Sequence, residues 1–149
     1  MPLIFTSINT GSLLPQDFSF SPQGDICYVC INVNASGGGI QKWIKNGSNW
    51  TLAYTLGTGA VNVGAYGLIV DYSAANPVLF ATTFESTGNR VIKIIDTGAS
   101  ASAITLVPAV TGIYHKGITF SPVDNGLPTV NLMLSTDTAR EVTSTTITI

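Results

Sequence analysis

Three segments of this chain begin 50 residues apart and read alike: Asp17-Phe18-Ser19-Phe20-Ser21-Pro22, Gly67-Leu68-Ile69-Val70-Asp71-Tyr72 and Gly117-Ile118-Thr119-Phe120-Ser121-Pro122. Each alternates in polarity over a few residues, the pattern of a short, half-buried strand. Each is followed by a polar turn and a second apolar run, beginning at Ile26, Pro77 and Thr129. A third run, "IQKWIKNG" from Ile40, lies against "VIKIIDTG" from Val91, so that Lys42 matches Lys93 and Asn46-Gly47 falls on Thr97-Gly98. The C-terminal "EVTSTTITI" is a poorer third copy. A fourth run begins at Leu52 and again at Ala103, and "IFTSINTG" from Ile4 supplies the copy that the last unit lacks. Self-similarity at a fixed period means that each unit is one supersecondary element burying its faces on its neighbours.

Four short strands in about 50 residues is the size of a propeller blade. Helix signals are nearly absent, and Gly, Pro, Asn and Asp separate the apolar runs. The sequence therefore predicts an all-β chain, a β-propeller built from three four-stranded blades. These cover residues 12–59, 60–110 and 111–149, with an N-terminal strand at 3–10 displaced from the blade it completes. Three blades cannot close a ring, which takes about 4–8. Two chains supply six, so a homodimer that exchanges terminal strands is the expected closure.

Composition narrows the functional classes. The chain is 45% hydrophobic and 9% charged, the reverse of a disordered composition. Six Lys and Arg against eight Asp and Glu leave too little positive charge for a nucleic-acid footprint. No apolar run approaches the ~20 residues of a membrane helix. Met1-Pro2-Leu3-Ile4-Phe5 has neither a basic region nor a long apolar core, so it does not read as a signal peptide. The two cysteines, Cys27 and Cys30, have redox or zinc spacing. On a strand, however, residues three apart point to opposite faces, so neither a shared metal nor a disulfide is expected. No cofactor is expected either.

"IIDTGAS", around Asp96, matches the catalytic loop of an aspartic protease. Such enzymes need two carboxylates sharing a proton. In the repeat register Asp96 takes the place of Lys45, before the turn between the third and fourth strands, where Asp, Asn and Gly are expected for turn chemistry alone. Catalysis by Asp96 remains an alternative reading of the residues.

"FSPQGDICYV" is similar to the Phe-Ser-Pro-Asp-Gly-x-x-hydrophobic-Tyr-Val element of NHL/WD40-like β-propellers. The segments from Ile40 to Gly59, Gly67 to Thr83 and Asn89 to Ser100 look like repeat units of large propellers of bacterial cell surfaces and secreted proteins. The resemblance spans nearly the whole chain. It implies a non-catalytic binding or adhesion scaffold, extracellular or at the cell surface, with a glycan or protein as partner. A self-assembling scaffold without a small ligand is the alternative.

In a propeller the loops entering each first strand share a face with those joining the second and third strands, and such loops commonly carry function. Here they place Asp17, Tyr66, Glu85, Asn89, His115, Lys116, Asp137 and Arg140 as candidate binding residues. The competing expectation is that all are solvated loop residues. Trp43 and Trp50 flank a turn; packing between units is expected for them rather than sugar stacking.

Overall fold

The computed structural model describes residues 13–121 and the backbone of 131–133 and 144–146. Eight strands form two four-stranded antiparallel sheets. The first is β1 (Pro15–Phe20), β2 (Ile26–Ile31), β3 (Gly39–Asn46) and β4 (Asn49–Leu56), in that spatial order. The second is β5 (Gly64–Asp71), β6 (Val78–Phe84), β7 (Val91–Ile95) and β8 (Ala103–Val107), again in chain order. A short antiparallel pair, β9 (Asn131–Met133) with β10 (Ser144–Thr146), follows. Among the described residues there is no helix.

The two sheets repeat one strand order, with the bulge between β3 and β4 at Lys42/Trp43 and that between β7 and β8 at Val91/Ile92. Tyr28 on β2 faces Lys42 on β3, which faces Tyr54 on β4. Phe80 on β6 faces Lys93 on β7, which faces Ile104 on β8. Each strand connects to the next by a turn, because local antiparallel pairing closes the shortest loops. Between β3 and β4 the turn is only Gly47-Ser48, with Gly47 at φ 60° supplying the positive angle that a two-residue hairpin demands.

Side-chain parity decides which face meets which. Tyr28 and Cys30 on β2, Ile40 on β3 and Leu56 on β4 share one face of the first sheet and pack against Leu79, Ala81, Ile92 and Ile94 of the second. Cys27, Val29, Ile31 and Trp43 take the opposite face of the first sheet, with Phe20 and Trp50 against them. On the far side of the second sheet, Phe80 and Val91 are joined by Ile118 and Phe120. The backbones come close as well. A Cβ on Gly64 would lie 2.5 Å from the Ile31 carbonyl oxygen, so β5 can sit this tightly against the end of β2 only with glycine there.

Several expectations are corrected. The described residues contain two four-stranded sheets, not three. The segment from Gly117, expected as a strand, is irregular through Ser121, and a single bridge residue, His115, precedes it. Residues 116–120 nevertheless run alongside β5, and a Cβ on Gly67 would lie 2.8 Å from the Lys116 carbonyl oxygen. The N-terminal strand at 3–10 lies outside the described residues. Cys27 and Cys30 are buried on opposite faces, as their spacing implies. Trp43 is buried, and Trp50 packs edge-on against Phe20 at 5.6 Å.

Candidate functional site

The Asp-Thr-Gly motif is built into the contact between the sheets. Ile92, Ile94 and Asp96 share a face by strand parity, so the carboxylate at the end of β7 points at the first sheet. There it meets the three residues that the register sets side by side. Lys42 Nζ lies 2.8 Å from Oδ2, which also accepts from the Tyr28 hydroxyl. The Tyr54 hydroxyl donates to Oδ1 at 2.7 Å, and the Gly98 amide donates to the same oxygen at 3.1 Å. The last bond is the turn chemistry expected of an Asp at this position. Burial alone would raise the Asp96 pKa, but hydrogen bonds from Lys42, Tyr28, Tyr54 and Gly98 hold it below the ordinary carboxylate value. Lys42 is pushed down by burial and, more strongly, up by Asp96 and Tyr54. Tyr28 is raised, first by burial and then by Asp96. An acid–base dyad needs a second carboxylate; the groups facing Asp96 are an ammonium and two phenols.

A different set of candidates converges on a cavity. Tyr66, Phe84, Glu85, Ser86, Tyr114 and Lys116 line a space of about 320 Å³, at the lower end of the range for small-ligand sites. Tyr66 comes from the beginning of β5, at its bulge, and Phe84 from the end of β6. The two rings meet edge to face at 4.8 Å and 88°. Glu85 follows directly, and Arg90 Nε binds its Oε1 at 2.6 Å. Oε2 accepts from the Thr83 hydroxyl and, at 3.1 Å, from the Arg90 amide. The carboxylate is thus held in place, and its charge is balanced locally.

The opposite wall, Tyr114 and Lys116, is stitched to the loop 85–90. The Gly112 amide donates to the Thr87 carbonyl at 2.8 Å, and the Asn89 amide to the Ile113 carbonyl at 3.2 Å. Asn89 closes a reciprocal pair with His115: Oδ1 accepts the His115 amide at 2.6 Å, and Nδ2 donates to the His115 carbonyl at 2.7 Å. The same Nδ2 donates to the Thr83 carbonyl at 2.7 Å, and the Tyr114 hydroxyl donates to the Ser86 carbonyl at 2.5 Å. Gly88, at φ 151°, allows this closeness: a Cβ there would lie 2.0 Å from the Val110 carbonyl oxygen.

The sequence-derived candidates therefore divide. Tyr66, Glu85 and Lys116 line the cavity. Asn89 and His115 are buried rather than solvated; Asn89 ties the walls together, and burial lowers the His115 pKa. Asp17 is not a loop residue. It lies on β1, where its carboxylate accepts the Phe18 amide and, across the sheets, the Leu68 amide, each at 2.8 Å. Asp137 and Arg140 lie outside the described residues. Phe84, Ser86 and Tyr114 were not among the candidates. The signal for them was their position: Phe84 and Ser86 flank Glu85, and Tyr114 precedes His115. Among the described residues no group of three or more His, Cys, Asp or Glu is arranged to hold a metal ion, and no helix is long and apolar enough to cross a membrane. Compared with models of known families, with curated proteins and with solved structures, the chain matches none.

Proposed function

We propose that this chain is a non-catalytic binding module of propeller type, related to NHL/WD40-like surface and secreted propellers, that takes a glycan in the cavity between Tyr66, Phe84 and Tyr114. The observation that carries the reading is the convergence of three aromatic side chains from three separate segments on one open cavity, with Glu85, Ser86 and Lys116 at its edge. A sugar ring has an apolar face and a belt of hydroxyls. Aromatic rings accept the first, and polar neighbours accept the second. The test is binding of the full chain to an array of oligosaccharides at pH 8, with hits measured by calorimetry. Tyr66→Ala and Tyr114→Ala are expected to weaken a hit at least tenfold with the fold retained. An array without a single hit overturns the reading.

A second reading, self-association through the first sheet, has its own observation. Phe18 and Leu68 hold equivalent places on β1 and β5, yet Leu68 is 5% exposed against the first sheet and Phe18 is 60% exposed. A second copy packed on that face would complete the pattern and supply the six-blade closure. Light scattering at several concentrations tests it: a dimer that Phe18→Ser dissociates supports the reading, and a monomer at every concentration overturns it.

A further inference from the structure

His115 is the only histidine in the 149 residues. It is 5% exposed, and its Nδ1 is buried with no hydrogen-bond partner. Its chain neighbours, Tyr114 and Lys116, form one wall of the cavity. Its own backbone amide and carbonyl are both held by the Asn89 side chain. The His115 backbone thus forms part of the fastening between the loop 85–90 and the segment 112–116, and its buried ring lies beside it.

The elements around it offer little to a positive charge. Its own segment carries Tyr114 and Lys116, the latter a like charge. The loop 85–90 carries Glu85 and Arg90, which are paired with each other. Alongside, β5 carries Tyr66 and, at its far end, Asp71, whose carboxylate accepts the Ser73 amide. Val78–Phe84, the β6 strand, has no titratable side chain. Among the described residues no carboxylate hydrogen-bonds the imidazole.

We propose that His115 is an acid-sensitive lock on this cavity: protonation of the imidazole releases residues 112–116 from the loop 85–90, takes apart the wall made by Tyr114 and Lys116, and frees a ligand held there. The proposal rests on the binding reading above. An imidazolium without a partner is costly to bury, so the charged form favours the opened segment, where water reaches it. Burial holds the closed-state pKa below the ordinary 6.5. The closed form is therefore fully favoured above pH 6.5 and loses its advantage as pH falls from 6.5 through the lower closed-state value. Over that window the opening equilibrium rises by up to about tenfold per pH unit, the response of a single proton.

The experiment uses the full chain without ligand. Amide hydrogen exchange at Asn89, Gly112 and His115 is measured from pH 8 to pH 5 and corrected for the intrinsic pH dependence, with β2 and β3 amides as internal reference. The sole imidazole resonance reports protonation in the same samples. The expected result is an opening constant that rises below pH 6.5 for these three amides alone. His115→Phe, or His115→Gln if the phenylalanine variant does not fold, is expected to abolish the rise. Tyr114→Phe is expected to raise opening by the same factor at every pH. Equal opening at pH 5 and pH 8, or a rise that persists in both His115 variants, overturns the lock. Failure of every oligosaccharide to bind at pH 8, where the cavity is closed and intact, counts against the binding reading instead.

Discussion

Lys42 and Asp96 stand 54 positions apart in the chain and meet at 2.8 Å between the two sheets, the carboxylate wholly buried. Tyr28 and Tyr54 donate to the same carboxylate, so one side chain from the end of β7 holds three strands of the neighbouring sheet. Asp96→Ala leaves the buried Tyr28 hydroxyl without its acceptor and the Lys42 ammonium with only the Tyr54 hydroxyl, and the expected loss is about 3–5 kcal/mol of unfolding free energy. The double variant Lys42→Met with Asp96→Leu is expected to recover only the part due to the stranded ammonium, because the buried Tyr28 hydroxyl still lacks its acceptor. Urea denaturation followed by tryptophan fluorescence measures both. A loss below about 1 kcal/mol for Asp96→Ala would show that the cluster is an incidental contact.

The same pair sets the limits of stability in pH. Asp96 has its pKa lowered from 3.8 in the folded chain, so its contribution is fully present above pH 3.8 and disappears as pH falls through the lower folded value. Lys42 has its pKa raised from 10.5, so its contribution is fully present below pH 10.5 and disappears as pH rises through the higher folded value. Urea midpoints across pH are expected to fall at both extremes. In Asp96→Asn both declines become shallower; unchanged slopes would assign them to other groups.

Asp17 makes a second, smaller link between the sheets through the Leu68 amide. Asp17→Ala strands that donor, and the expected cost is about 1–3 kcal/mol. Asp17→Asn keeps an acceptor and is expected to cost less. Neither variant alters a wall of the cavity, so oligosaccharide affinity is expected to stay constant in both, as calorimetry would show.

Burial protects the thiols. The Cys27 pKa is pushed up to about 12, and Cys30 is also raised well above its ordinary value, in each case chiefly by desolvation. The thiolate is the reactive form. At pH 8 the native chain is expected to resist a thiol-specific chromogenic reagent over hours, and the denatured chain to react rapidly at both cysteines. Fast reaction of the native chain would contradict this packing.

Gly88→Ala tests the architecture of the cavity. Its Cβ would collide with the Val110 carbonyl oxygen at 2.0 Å, in a backbone conformation that favours glycine. The loop 85–90 and the segment 112–116 are expected to part, with faster exchange at the Gly112 amide and a lowered melting temperature. Retention of both properties would mean that the loop relaxes without cost.

Much of the sheet pattern was legible in the chain itself. The 50-residue recurrence places the strands from Ile26, Ile40 and Leu52 beside those from Pro77, Val91 and Ala103, because alternation and turn residues are local properties. The recurrence failed as a guide at Gly117, where alternating residues remain largely irregular. A strand requires a hydrogen-bonding partner as well as a suitable pattern.

The repeat register placed Tyr66, Glu85 and Lys116 on one loop face together with the other five candidates, and the first three line the cavity. It could not separate them from Asp17, Asn89 and His115, which carry the same polar signature and are used internally. Asp96 shows the division most clearly. Its turn chemistry could be read from Asp-Thr-Gly, and its parity from Ile92 and Ile94. Its partners could not, because Lys42, Tyr28 and Tyr54 belong to another sheet. Local sequence determined strand, turn and face, each set within a few residues. Only the tertiary structure decided which polar groups meet across the sheets, because long-range pairing depends on the register and stacking of two finished sheets.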